Sequence, residues 1–150
     1  MSFKSVVMTR KFKFTEHSAD VYIETSGNNL EEAFSSIAIG LGFLIIESDN
    51  VDDKVEKKII VESEDMESLL FDFLSEILIF QDAESLIFHN VIVEKIEKNK
   101  GIWSLIAKAK GEKFNPKKHK QGTHVKAITY HNMEIKNQKG KFKVRVLVDI

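Results

Sequence analysis

No cysteine occurs in this 150-residue chain. Disulfides, thiolate nucleophiles and thiolate metal sites are therefore excluded, and an intracellular protein is the natural expectation. Proline is nearly absent as well, the single residue being Pro116. The N-terminal segment MSFKSVVMTRK lacks a sustained apolar core, so it reads as neither a signal peptide nor a membrane span, and the expectation is a cytoplasmic protein with no membrane partner. There is little excess charge of either sign: the formal net charge is −1 and the pI near 6.5, so the chain as a whole is no polyanion binder. No glycine-rich nucleotide loop, Walker loop, nucleophile elbow or internal repeat is found.

What is present suits one folded unit spanning residues 1–150. A hydrophobic fraction of 43% and a charged fraction of 30% are ordinary for a globular protein, and the length suffices to bury a core without staples. Residues 10–14, RKFKF, alternate basic and aromatic and predict a first strand at a sheet edge. VYIET predicts a second strand or a bent continuation of the first, ended by Gly27. Asn28 and Asn29, followed at three residues by Glu31 and Glu32, predict a helix start. The stripe Leu30, Ala33, Phe34, Ile37, Ala38 and Leu41 gives that helix one apolar face, and Gly40 and Gly42 are expected to weaken its end. KKIIVESE predicts a strand, Asp65 or Ser63 an N-cap, and Leu69 to Leu78 a second apolar helix. From Leu86 onward the periodicity is that of strands only, predicting a meander of four. The fold class expected is α+β, with two helices on a mainly antiparallel sheet.

Charge is segregated despite its balance. Residues 47–53 and 62–67 are acidic, whereas Lys113 to Lys126 is basic. Asn115, Pro116 and Gly122 cannot continue a ladder, so this basic stretch reads as a loop leading into a strand over 123–136. In that strand Lys126 suits an anion. His131 alternates with Val125, Ala127 and Thr129, which predicts a satisfied core histidine. The final strand places Asp149 beside the α-carboxylate of Ile150, and the two negative charges call for a cation. Asp20 would join them if the strand it begins neighbours the last one. Such hard oxygen donors suit Ca²⁺ or Mg²⁺, with Mn²⁺ or Zn²⁺ conceivable if His17 contributes. The competing reading is a solvated terminus. Asp65 is fully explained as a cap, and no nucleophile stands beside a base with sequence support, so no enzyme is indicated.

Taken together, HSAD at 17–20, DMESLL at 65–70, GE at 111–112, the isolated His119, VKAITYH at 125–131 and DI at 149–150 resemble the archease family. The order and spacing match over nearly the whole chain. The departures are mild, with serine for the usual threonine in HSAD and methionine for the usual leucine in DMESLL, and neither removes a ligating group. The resemblance implies a strand-helix-strand-strand module within an α+β domain. It also implies a non-enzymatic accessory of the RtcB-type RNA ligase in tRNA splicing and RNA repair, one that promotes ligase guanylylation and multiple turnover. Contact with tRNA would then be indirect, through the ligase. By similarity, Asp20, Asp149 and Ile150 would bind a divalent cation, usually Ca²⁺, with Mg²⁺ or Mn²⁺ as alternatives. His17, Asp65, His119, Lys126 and His131 would face the partner or its nucleotide. Against this stand a general chaperone or modulator of RNA-modifying enzymes such as a tRNA methyltransferase, a metal-dependent phosphate-ester hydrolase, and a plain RNA-binding module. The last is disfavoured by strands without exposed aromatic pairs.

Overall fold

The computed structural model describes residues 7–9, 12–16 and 19–150. Eight strands and two helices follow in the order β1 (Val7–Thr9), β2 (Phe12–Glu16), β3 (Asp20–Gly27), α1 (Leu30–Ile45), β4 (Val55–Ser63), α2 (Met66–Glu84), β5 (Leu86–Asn99), β6 (Ile102–Lys113), β7 (Ala127–Gln138) and β8 (Lys141–Asp149). They form two antiparallel sheets, a five-stranded one in the order β1-β2-β3-β8-β7 and a three-stranded one in the order β4-β6-β5. The three-stranded sheet with α2 is a strand-helix-strand-strand module inserted between α1 and β7. No helix among the described residues is long and apolar enough to cross a membrane.

The α+β class stands, but the last four strands are two hairpins rather than one continuous meander. β5 and β6 pair with each other and with β4, while β7 and β8 join the N-terminal strands. Alternation identifies a strand but says nothing of its neighbour, and the long link after β6 lets the chain change sheets. Each hairpin closes on a Lys-Gly pair with positive φ, Lys100–Gly101 and Lys139–Gly140, the backbone that matches strand twist in a two-residue turn. At the N-terminus the strand expected over 10–14 is described from Phe12 onward and is not at the sheet edge. Arg10 and Lys11 lie outside the described residues, Phe12–Glu16 is paired on both sides, and β1 takes the outer position.

Alternation in β3 and β8 sets the core. Val21, Ile23, Val144, Val146 and Val148 point inward and are fully or almost fully buried, packed with Phe34, Ile37 and Leu41 of α1. Both helices are capped as expected. The Asn29 side chain accepts from Glu32 N–H, and Asp65 accepts from Ser68 N–H at 2.7 Å. The glycines of α1 do not weaken it, for the helix runs on to Ile45. Gly42 is instead a contact point: a Cβ there would lie 1.9 Å from the Phe88 carbonyl oxygen. Beside it His89 Nε2 lies 3.1 and 3.0 Å from the Gly42 and Ile46 carbonyls, and its ring stacks on Phe43. Two acceptors facing one ring nitrogen require that nitrogen to carry the proton, so His89 caps the end of α1, sharing the Gly42 carbonyl with the Ile46 N–H and adding a donor to the Ile46 carbonyl.

Candidate functional site

The β3–β8 ladder places Asp20 directly opposite Asp149. Val21 and Val148, one step along, face the core, so the two aspartates face the other way, on the outer surface of the sheet. Ile150 N–H donates to the Ala19 carbonyl at 3.2 Å. A bonded 19/150 pair makes 20/149 a non-hydrogen-bonded pair, the position at which opposing Cα atoms stand only about 4.5 Å apart and side chains come closest. Like charges so placed repel each other, and among the described residues neither carboxylate has an ion pair. Ala127, opposite Asp149 on its other side, adds only a methyl group to the row. The Ile150 side chain is half-buried against the core, which fixes the chain end beside the pair.

These donors fit a hard divalent cation: all are carboxylate oxygens, and among the described residues no cationic side chain pairs with Asp20 or Asp149. Among the described residues no three His, Cys, Asp or Glu side chains gather as a metal cluster. His17 and Ser18 lie outside the described residues.

Lys126 is brought to the same end of the sheet. Its N–H donates to the Asp149 carbonyl at 2.8 Å, and its side chain is exposed after the buried Val125. The remaining sequence candidates are placed elsewhere. Asp65 caps α2, and the Ser68 backbone N–H and side chain hold its pKa below the ordinary carboxylate value.

His131 is exposed and does not join the core as its alternation predicted. Between Thr129 and Glu134 the register with β8 shifts. The five steps there on β7 face two on β8, which leaves three extra residues and inverts the facing of His131. Asn132 in this bulge has positive φ. It is held by its Nδ2 donating to the Tyr22 hydroxyl at 2.7 Å and by Arg145 Nε donating to its carbonyl at 3.1 Å.

His119 is not partner-facing: its side chain is wholly buried. Its Nδ1 accepts from the Asn115 N–H at 2.9 Å, which puts the proton on Nε2, 3.0 Å from the Glu112 carboxylate. Glu112, 6% exposed, was given no role by sequence reasoning, yet it is the hub of the basic loop. One of its oxygens also takes Asp52 N–H at 2.8 Å and Lys118 Nζ at 2.7 Å. Burial pushes the Glu112 pKa up, but the Asp52 N–H, the Lys118 ammonium and the His119 ring outweigh it and bring it down to about 2. Lys118, which also binds Asp52 at 2.6 Å, is thereby turned inward, so the loop presents Lys117 and Lys120 to solvent but not Lys118. The available signal was a carboxylate at a strand end with an acidic segment and a histidine in nearby loops.

The chain is similar to known proteins over almost its entire length. It is 43% identical over 142 residues to the protein archease of Pyrococcus abyssi, covering 94% of this chain and 99% of that one. It is 44% identical to that of Pyrococcus furiosus with the same coverage. Among solved structures, Methanobacterium thermoautotrophicum protein 1598 superposes with a TM-score of 0.80 at 31% identity, covering 93% of this chain and 99% of that one. A Thermotoga maritima protein described as an archease and possible chaperone shares the fold, with a TM-score of 0.57 at 23% identity, covering 96% and 98%. The model of the Archease protein family (MTH1598/TM1083) matches residues 12–150, and so the chain that pairs Asp20 with Asp149 belongs to the archease family.

Proposed function

We propose that this protein is an accessory of an RtcB-type RNA ligase, promoting ligase guanylylation and multiple turnover without being an enzyme itself. The observation that carries the reading is the Asp20–Asp149 pair, two carboxylates opposed beside Lys126 at one sheet end. Asp20, Asp149 and the carboxylate of Ile150 would hold a divalent cation, Ca²⁺ or else Mg²⁺ or Mn²⁺. The ion would neutralise the pair and make this end a surface that can meet phosphates or acidic ligase groups. Lys126, Lys117 and Lys120 add positive charge that steers encounter. Sequence membership in the archease family supports the partner, since the resemblance in Asp20 of HSAD, in VKAITYH and in DI falls on this part of the fold.

The test is a ligation time course with limiting RtcB-type ligase, GTP and a split tRNA, with and without the protein. Product passing one equivalent per ligase only in its presence is the expected result, and Asp149→Ala should lose the effect while remaining folded. Unchanged product in both arms would end the proposal. The general chaperone reading draws on the description of the Thermotoga maritima relative. It predicts that several unrelated clients respond and that Asp20 and Asp149 are dispensable.

A further inference from the structure

Residues 114–126 form no regular strand or helix, yet the loop is fastened along its length. Ahead of it, Lys54 N–H donates to the Gly111 carbonyl at 2.9 Å and Asp52 N–H to Glu112. At its middle, Asn50 Nδ2 donates to the Lys118 carbonyl, Glu47 N–H to the Lys120 carbonyl, and Lys120 N–H to the Ser48 hydroxyl. Further on, Gly122 and Thr123 N–H groups donate to the Ile45 and Leu44 carbonyls at 2.8 Å, closing the end of α1. Val125 is then buried, and Lys126 N–H reaches the Asp149 carbonyl. Apart from Glu112, most of these bonds are backbone contacts that any sequence could make. Glu112 alone joins the acidic segment, the loop lysine and the loop histidine through one buried carboxylate.

We propose that Glu112 is a positioning residue for the Lys126–Asp149 junction: through Lys118 and His119 it holds the basic loop against the 47–54 segment and thereby fixes where Lys126 meets the end of β8. The basic loop and the aspartate pair are then one coupled unit. Coupling of this kind is reciprocal. A cation on the pair should tighten the loop, and a loop released from Glu112 should weaken the cation. The cation half of this statement rests on the function proposed above; the loop half does not.

Backbone hydrogen exchange on the full chain, wild type against Glu112→Gln, tests the loop half directly. Exchange at the Gly122, Thr123 and Lys126 amides is expected to rise by about tenfold or more, while Ile23 and Val146 in the core keep their protection. Lys118→Gln, which removes only the ammonium, should shift the same amides in the same direction and serves if the Glu112 variant unfolds. Wild-type protection at Lys126 in a folded variant whose 115–120 amides exchange freely would overturn the proposal. Calorimetry with Ca²⁺ on the same proteins should show affinity weakened about fivefold or more by Glu112→Gln. Should Asp149→Asn bind Ca²⁺ as well as wild type, the cation site itself fails, and the exchange result still decides the role of Glu112.

Discussion

Asp149 illustrates how a single residue can be costly to the fold and yet be the one on which the proposed function rests. Opposed to Asp20 at the closest-approach position of the ladder, it destabilises by roughly 0.2–1 kcal/mol. Asp149→Asn should therefore raise the unfolding temperature in the presence of a chelator and abolish the stabilisation that Ca²⁺ gives the wild type. Thermal melts with chelator and with Ca²⁺ read both signs, and a variant less stable than wild type in chelator would contradict the repulsion. Glu112 gives the opposite behaviour. Its pKa falls from 4.5 to about 2 on folding, so its contribution is fully present above pH 4.5 and is lost as pH drops from there toward 2. Linkage puts the contribution at neutral pH on the order of 3 kcal/mol. Urea unfolding at pH 7 and pH 2.5 should show Glu112→Gln much weaker than wild type at the first, with the gap shrunk to about a quarter at the second. Asp149 was legible in the sequence because a carboxylate next to Ile150 needs no partner to look unusual, whereas Asp20 was reached only on the condition that its strand neighbours the last one, or through the family resemblance. Glu112 was not legible, because its significance lies in donors 6 to 60 residues away.

At the scale of elements, α1 shows where propensity and packing conflict. Glycine inside a helix costs about 1 kcal/mol relative to alanine, so Gly42→Ala would stabilise an isolated α1. In the protein the added methyl would meet the Phe88 carbonyl oxygen at 1.9 Å. Backbone on both sides cannot yield cheaply, and the variant should be destabilised by about 1–3 kcal/mol. Chemical denaturation checks the sign, and a gain in stability would show that α1 and β5 can move apart. The β7 bulge is a second case in which local pattern misleads. Strict alternation over 123–136 assigns His131 inward, but three extra residues between Thr129 and Glu134 turn it out. Besides a local bond from the His131 N–H to the Thr129 hydroxyl, the bulge is held by Tyr22 and Arg145 on other strands, which the local pattern does not announce.

For the whole molecule, the consequence of the two-sheet arrangement is that β8 lies between β3 and β7, which brings residues 20, 126, 149 and 150 to one end. A segment appended after Ile150 should weaken Ca²⁺ binding at least severalfold while leaving the melting temperature in chelator nearly unchanged, since it would convert a terminal carboxylate into a neutral amide. Calorimetry on tagged and untagged protein decides this, and equal affinities would remove Ile150 as a ligand. The sequence by itself determined both helices with their apolar faces, the strands from Phe12 onward, each helix cap to within two residues, and Asp149 as a candidate. Each of these depends on periodicity or on neighbours within a few residues. Only the tertiary structure decided that the late strands split between sheets, that His119 and Lys118 turn inward onto Glu112, and that Asp20 stands opposite Asp149. Strand partners and buried ion networks are chosen by long-range packing, and a strand carries in its own residues the direction it faces but not the neighbour it meets.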